Sequence, residues 1–170
     1  MMEKFIGQSM ITQDEIKKIF IYNPETGDFH WRIKPSPRFP AGMKAGANVN
    51  GYIRIKYKDH VYGAHRLAWL YMTGEHPKHL IDHINGNGLD NSIANLREAT
   101  TFENAQNIKK PQKNNSHGTL GISYVPNKKL WRARIGVNGK RIYIGKYKSQ
   151  EDAAQAYLEA KRKYHPFNTL

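Results

Sequence analysis

Between two short apolar steps, Leu80–Ile84 and Leu96–Ala99, the chain carries Asn85-Gly86-Asn87-Gly88, a tract that no regular element accommodates. The steps predict two short strands joined by an irregular turn. Thr100 and Glu103 follow as a T-x-x-E capping box, which predicts a helix through about Ile108. A strand–turn–strand–helix unit of this kind gathers Asp82, His83, Asn95 and Asn104 within a short span. Adjacent residues on a regular strand face opposite ways, so Asp82 and His83 share a site only where the strand bends or ends. The Asn-Gly tract supplies that irregularity.

A carboxylate, an imidazole and carboxamides together suit hydrolysis of a phosphodiester with one hard metal ion. A positioned general base contributes roughly 10²–10⁴-fold, far short of nuclease-scale acceleration, so a metal must supply much of the rest. Asp82 offers a hard oxygen ligand and Asn104 a neutral one, a pairing that suits magnesium or manganese better than zinc. His83, with an ordinary pKa of about 6.5, can take a proton from water. Asn95 is expected to hydrogen-bond the loop backbone and so hold His83 in place. A zinc reading of His76, His79 and His83 is disfavoured because His76 sits beside Pro77 in a loop. His65 and Arg66 open an apolar helix, where packing or capping competes with a phosphate contact from Arg66.

The chain of 170 residues has 27 Lys and Arg against 14 Asp and Glu, a net charge of +13 that favours a polyanionic partner. Residues 1–108 hold 13 basic and 11 acidic side chains, whereas residues 109–170 hold 14 and 3, so nearly all the excess lies in the last third. Affinity and chemistry are thus expected in different segments. No apolar run approaches the ~20 residues of a membrane span, and MMEKFIGQSM lacks the apolar core of a secretory signal. Cysteine is absent, which excludes disulfides and thiolate zinc. A cytoplasmic protein of a bacterial or phage-infected cell is expected.

Residues 10–22 predict a short helix capped by Thr12 and Glu15, with Ile16, Ile19 and Phe20 on one face. A turn at Asn23–Gly27 leads to a strand marked by Phe29 and Trp31, and residues 34–50 read as loop. Gly51–Tyr62 predicts a hairpin about Lys58-Asp59, and residues 64–73 a helix ended by Gly74. Residues 109–117 are polar, basic and proline-broken, which suits a linker. Beyond them, Gly121–Val125, Leu130–Val137 and Lys140–Tyr147 predict three strands, the last two joined at Asn138-Gly139. Ser149 and Asp152 open a final helix with an apolar stripe of Ala153, Ala156, Tyr157, Ala160 and Tyr164. Ile122, Trp131, Ala133, Ile135, Ile142 and Ile144 should meet that stripe. Ser123, Val125, Arg132, Arg134, Arg141 and Tyr143 should face outward, and an exposed face of this kind can lie in a DNA groove. Lys128, Lys129, Lys140, Lys146 and Lys148 at the strand ends would hold the backbone.

The stretch His65–Asn107, with AHRLAWLYMTG, IDHINGNGLDN, ANLREAT and ENAQN, resembles the HNH endonuclease family, in the subgroup of phage and intron-associated homing or free-standing enzymes. That resemblance implies a ββα-metal (His-Me finger) core. It makes Asp82 a metal ligand, His83 the general base, Asn95 structural, and Asn104 the second metal ligand in an H-N-N variant, with Asn107 a weaker candidate for that last position. The stretch Gly118–Leu170 resembles the Apetala2-like DNA-binding domain through Gly121-Ile122, WRARI, KRIYIGKY and EDAAQAYLEA. The matching Arg134, Arg141 and Tyr143 imply groove reading, although Ser123 and Val125 replace the first-strand arginines of plant members.

The expected fold is therefore α+β: a ββα-metal core followed by a small three-stranded antiparallel sheet packed on one helix. Residues 1–63 would support a nuclease core at 64–108, with a linker at 109–117 and the DNA-binding module at 118–170. The expected activity is metal-dependent cleavage of double-stranded DNA. One site per chain suits a nicking monomer, and cutting both strands takes a dimer or two events. Two other classes stay open: a DNA-binding regulator that no longer cleaves, and an RNA-binding protein.

Overall fold

A computed structural model describes residues 11–109, 111, 115 and 117–169. The chain divides into two compact units, Met1–Glu98 and Ala99–Leu170, each treated by itself. Both mix helices with small antiparallel sheets.

The first unit begins with α1 (Gln13–Ile19), whose Thr12–Glu15 capping box is closed on both sides and whose Ile16 and Ile19 are buried. The helix stops sooner than its pattern suggests. Phe20–Tyr22 is a strand, β1, paired antiparallel with β2 (Phe29–Trp31) in the register Phe20↔Trp31. Pairing sends Phe20, Tyr22, Phe29 and Trp31 into one core, where Phe20 lies 4.7 Å from Trp31 and Tyr22 4.7 Å from Phe29. Burying such rings is worth more than another helical turn.

Residues 34–50, expected as loop, hold a further strand, β3 (Ala47–Val49), beside β4 (Tyr52–Tyr57). Val49 pairs with Tyr52 across Asn50 (φ 53°) and Gly51 (φ 83°), the two positive-φ positions of a tight hairpin turn. β5 (His60–Gly63) completes the three-stranded sheet. α2 (Ala64–Thr73) ends at Gly74 in the left-handed conformation and buries Leu67, Ala68 and Leu70.

β6 (Leu80–His83) pairs with β7 (Leu96–Ala99), and a single 3-10 turn, Ile93–Asn95, precedes the second strand. α3 (Thr101–Gln106) follows at once with both halves of its Thr100–Glu103 box formed.

In the second unit β8 (Ile122–Val125), β9 (Leu130–Val137) and β10 (Lys140–Tyr147) form a sheet of order β10-β9-β8. α4 (Gln150–Tyr164) packs on it. Ile122, Ala133 and Ile135 meet Ala153, Tyr157 and Ala160 in the core, joined by Trp131, Ile142 and Ile144. Strand parity thus sorts the inward residues as expected. Lys161 is 1% exposed and donates its ammonium to the Ile108 carbonyl, and Thr169 donates to Asn107 Oδ1, so the segment after α3 is tied to the end of the chain. Part of the expected 109–117 linker, together with Met1–Met10 and Leu170, lies outside the described residues.

Candidate active site

The loop between β6 and β7 is built from its own short polar side chains. Asn85 Nδ2 donates to Asp90 Oδ2 (2.7 Å), and Asn85 Oδ1 accepts the Asn87 N–H (2.8 Å). Asn87 Oδ1 accepts the Leu89 N–H, and Asp90 Oδ1 accepts both Ser92 groups. The hydrogen bond from Ser92 Oγ holds the Asp90 carboxyl below the usual range. Asn and Asp favour such local bonds, which is why this sequence makes a shaped loop rather than a longer hairpin.

Asn95 closes the loop. Its Oδ1 accepts the Asn85 N–H (2.9 Å), its Nδ2 donates to the Asp90 carbonyl (2.8 Å), and its own carbonyl accepts the Ile84 N–H (2.8 Å). Asn95 is buried and spans the loop backbone from both sides.

His83 ends β6 and is 6% exposed. Its Nε2 lies 3.2 Å from Asn91 Oδ1, and Asn91 is itself 1% exposed. Asn91 Nδ2 donates to the Leu89 carbonyl, which sets the amide with its oxygen toward the imidazole. The Asn91 carbonyl in turn accepts the Tyr22 hydroxyl (2.8 Å), whose pKa is pushed up to about 12 by burial. Beneath it, Gly27 (φ 75°) approaches so closely that an added Cβ would stand 2.3 Å from the Asn91 carbonyl carbon.

Two further rings flank His83. His65 lies edge-on at 5.3 Å and Tyr52 at 5.9 Å between centroids. His65 Nδ1 is buried without a hydrogen-bond partner among the described residues. Burial, followed by His83, Arg54 and Arg66, pushes the His65 pKa down to about 4. The folded chain therefore keeps His65 neutral, while the unfolded chain protonates it below about pH 6.5. Stability from this group is full above pH 6.5 and is lost as pH falls through 4. Allowing for partial solvent access, the loss should be on the order of 2 kcal/mol. Denaturant unfolding between pH 7 and 4 should show this slope in the wild type, and His65→Asn should flatten it. An equal slope in both proteins would refute the assignment.

Asp82, the neighbour of His83, is buried and meets a different group. Its Oδ2 accepts from Arg97 Nε (2.9 Å) and Nη2 (2.8 Å), a close ion pair across β6 and β7. The two hydrogen bonds from the guanidinium fix the orientation of this carboxylate. Asn104 lies half-buried on α3 in the second unit. Among the described residues no three His, Cys, Asp or Glu side chains cluster as a metal cage. A carboxylate and a carboxamide oxygen, without thiolate, are the donor types that suit a hard divalent ion retaining most of its waters.

The remaining candidates fall elsewhere. Arg66 Nη1 and Nη2 point to the carbonyls of His79 (3.4 Å) and Pro77 (3.5 Å), bracing the chain before β6. His76 Nε2 contacts the Ile11 carbonyl at 2.9 Å, away from the other two histidines of the zinc reading. In the second unit Arg132 Nη2 donates to Ser123 Oγ (3.3 Å), and Arg134 pairs with Tyr143 in the β9–β10 register. Arg141 and Tyr143 are exposed, as are Lys128, Lys129, Lys140 and Lys146. Burial pushes the Arg134 pKa down, and the neighbouring Arg132 and Arg141 add to the shift.

Residues 62–106 match the family profile described as HNH endonuclease, a span that includes Asp82, His83, Asn95 and Asn104. In this span the chain is similar to HNH endonucleases. The chain is also 38% identical over 78 residues to "Protein 3.8" of Escherichia phage T7, a match covering 45% of this chain and 64% of that protein. No solved structure gives a significant match. Asp82 and His83 end β6 on one side of this loop, and Asn95 closes it on the other. Asn91, Tyr52 and Arg97, contacts of these residues, escaped the reading from sequence, and His65 was read only as a packing or capping residue. No helix among the described residues is long and apolar enough to cross a membrane.

Proposed function

We propose that the chain is a DNA endonuclease of the phage or intron-associated HNH type, hydrolysing phosphodiester bonds with a divalent ion and His83 as general base. The observation that carries this reading is the buried His83 held by Asn91 at the end of β6, inside the span that matches the HNH family.

The Asn91 carboxamide oxygen accepts from Nε2–H, which puts the imidazole lone pair on Nδ1. Nδ1 takes a proton from water as its oxygen attacks phosphorus in line. The P–O3′ bond breaks on the opposite side, leaving a 5′-phosphate and a 3′-hydroxyl. On the resemblance to the HNH family, Asp82 and Asn104 would hold magnesium or manganese. Such an ion, when bound, supplies charge stabilisation on the phosphate and the departing oxygen. Asn95 keeps the loop in shape, and Arg97 holds the Asp82 carboxylate in place. As a ββα-metal core with one site per chain, the enzyme nicks duplex DNA as a monomer.

The C-terminal sheet, read as an Apetala2-like module, anchors the substrate. Arg132, Arg134, Arg141 and Tyr143 meet the groove while Lys128, Lys129, Lys140 and Lys146 hold phosphates. Arg134→Ala and Arg141→Ala should each weaken duplex binding by about 1–3 kcal/mol if they touch bases, with an unchanged rate at saturating DNA. Unaltered affinity in both variants would remove the sheet as the docking face. The activity itself is tested by conversion of supercoiled plasmid to open circle with magnesium or manganese. Absence of nicking with either ion would overturn the enzymatic reading.

A further inference from the structure

Within the first unit, remote in sequence from the HNH motif, a cavity of about 550 Å3 opens on the β3–β4–β5 sheet. This volume lies in the range of small-molecule sites and is far too small for a duplex. Three aromatic rings line it: Trp31, Tyr57 and Phe39. Trp31 is 5% exposed and packs 6.2 Å from Tyr57, whereas Phe39 presents its ring to solvent at 46% exposure. The other lining side chains include Lys44, Arg54, Lys56 and Lys58, and no acid is among them. Asp28 neutralises Lys44 at 2.8 Å, so the positive charge of the rim comes from Arg54, Lys56 and Lys58.

This cavity connects to the candidate active site along β4. Tyr52, Arg54 and Lys56 alternate on its exposed side. The Tyr52 ring packs 5.9 Å from His83, and the Arg54 guanidinium lies 6.0 Å over Tyr52 while also lining the cavity. Tyr52 to Lys56 spans about 13 Å of strand, some four base steps of a B-form strand. A polyanion whose scissile phosphate meets His83 would therefore run along Arg54 and Lys56 to the aromatic cavity.

We propose that this cavity is a nucleobase-binding site, which takes one unpaired or extruded base of the substrate strand between Phe39, Trp31 and Tyr57. Aromatic walls suit any base because every base has a π-face, and the lysine and arginine rim suits its flanking phosphates. The inference rests on the reading of the chain as an enzyme acting on DNA and adds a strand-gripping site to it.

Its test needs no cleavage. Binding of the full chain to oligothymidylate and to an abasic oligomer of the same length is compared by fluorescence anisotropy in EDTA. Base stacking is worth about 1–3 kcal/mol, so the wild type should prefer the base-bearing strand by roughly 5- to 150-fold. Phe39→Ala and Phe39→Leu should both lose most of that preference while holding the abasic strand as before. Phe39 is half exposed, so neither change should unfold the protein. Equal affinity of the wild type for the two strands would overturn the proposal. So would a full preference kept by both variants, since stacking would then lie elsewhere. Plasmid nicking by the same preparations reports the nuclease reading separately.

Discussion

His83→Ala should lower plasmid nicking by roughly 10²–10⁴-fold while leaving duplex affinity unchanged. The imidazole sits at the end of β6 with its Nε2 on Asn91, so the substitution removes the proposed proton acceptor and spares the basic sheet in the other unit. It also leaves the Asn91 oxygen without its imidazole, at a cost of about 1–3 kcal/mol, so melting must be followed beside activity. Added imidazole should restore part of the rate, a rescue that a merely structural role would not give. Wild-type nicking by His83→Ala would end the assignment of the general base.

Gly27→Ala should destabilise the first unit by roughly 4 kcal/mol and lower its melting point by at least ~10 °C. Two costs add. Gly27 has φ 75°, where a Cβ is strained, and that Cβ would stand 2.3 Å from Asn91 C and Ser92 N, backbone atoms with little room to yield. The turn that carries Gly27 is docked on the same segment through the Ile93 N–H to the Pro24 carbonyl (3.0 Å). Any relief must move Asn91, and with it the partner of His83. The folded fraction should therefore also lose rate. A melting point within a degree or two of wild type would show that the loop adapts freely.

Much of the local structure was legible because its causes lie within a few residues of one another. The T-x-x-E boxes at Thr12 and Thr100, the Gly74 stop and the Asn138-Gly139 turn each act over one turn of chain. Strand parity similarly sorted Ala133 and Ile135 inward from Arg132 and Arg134. The Asn50-Gly51 turn carried an equally strong hairpin signal, but the Pro, Gly and Lys around it masked the strand at Ala47–Val49. Phe20–Tyr22 was misread because its helical periodicity competes with a strand partner seven to eleven residues away in Phe29–Trp31.

By itself the sequence determined the chemical types at the candidate site: an acid and an imidazole at Asp82 and His83, amides at Asn95 and Asn104, and a basic excess toward the end of the chain. Tertiary structure alone decided what each of the buried pair touches. Asp82 meets Arg97 across the paired strands, His83 meets Asn91, His65 and Tyr52, and Tyr22 reaches Asn91 from 69 residues away. Periodicity and spacing describe the chain along itself, whereas burial, hydrogen bonding and charge act across space, and only folding converts one into the other.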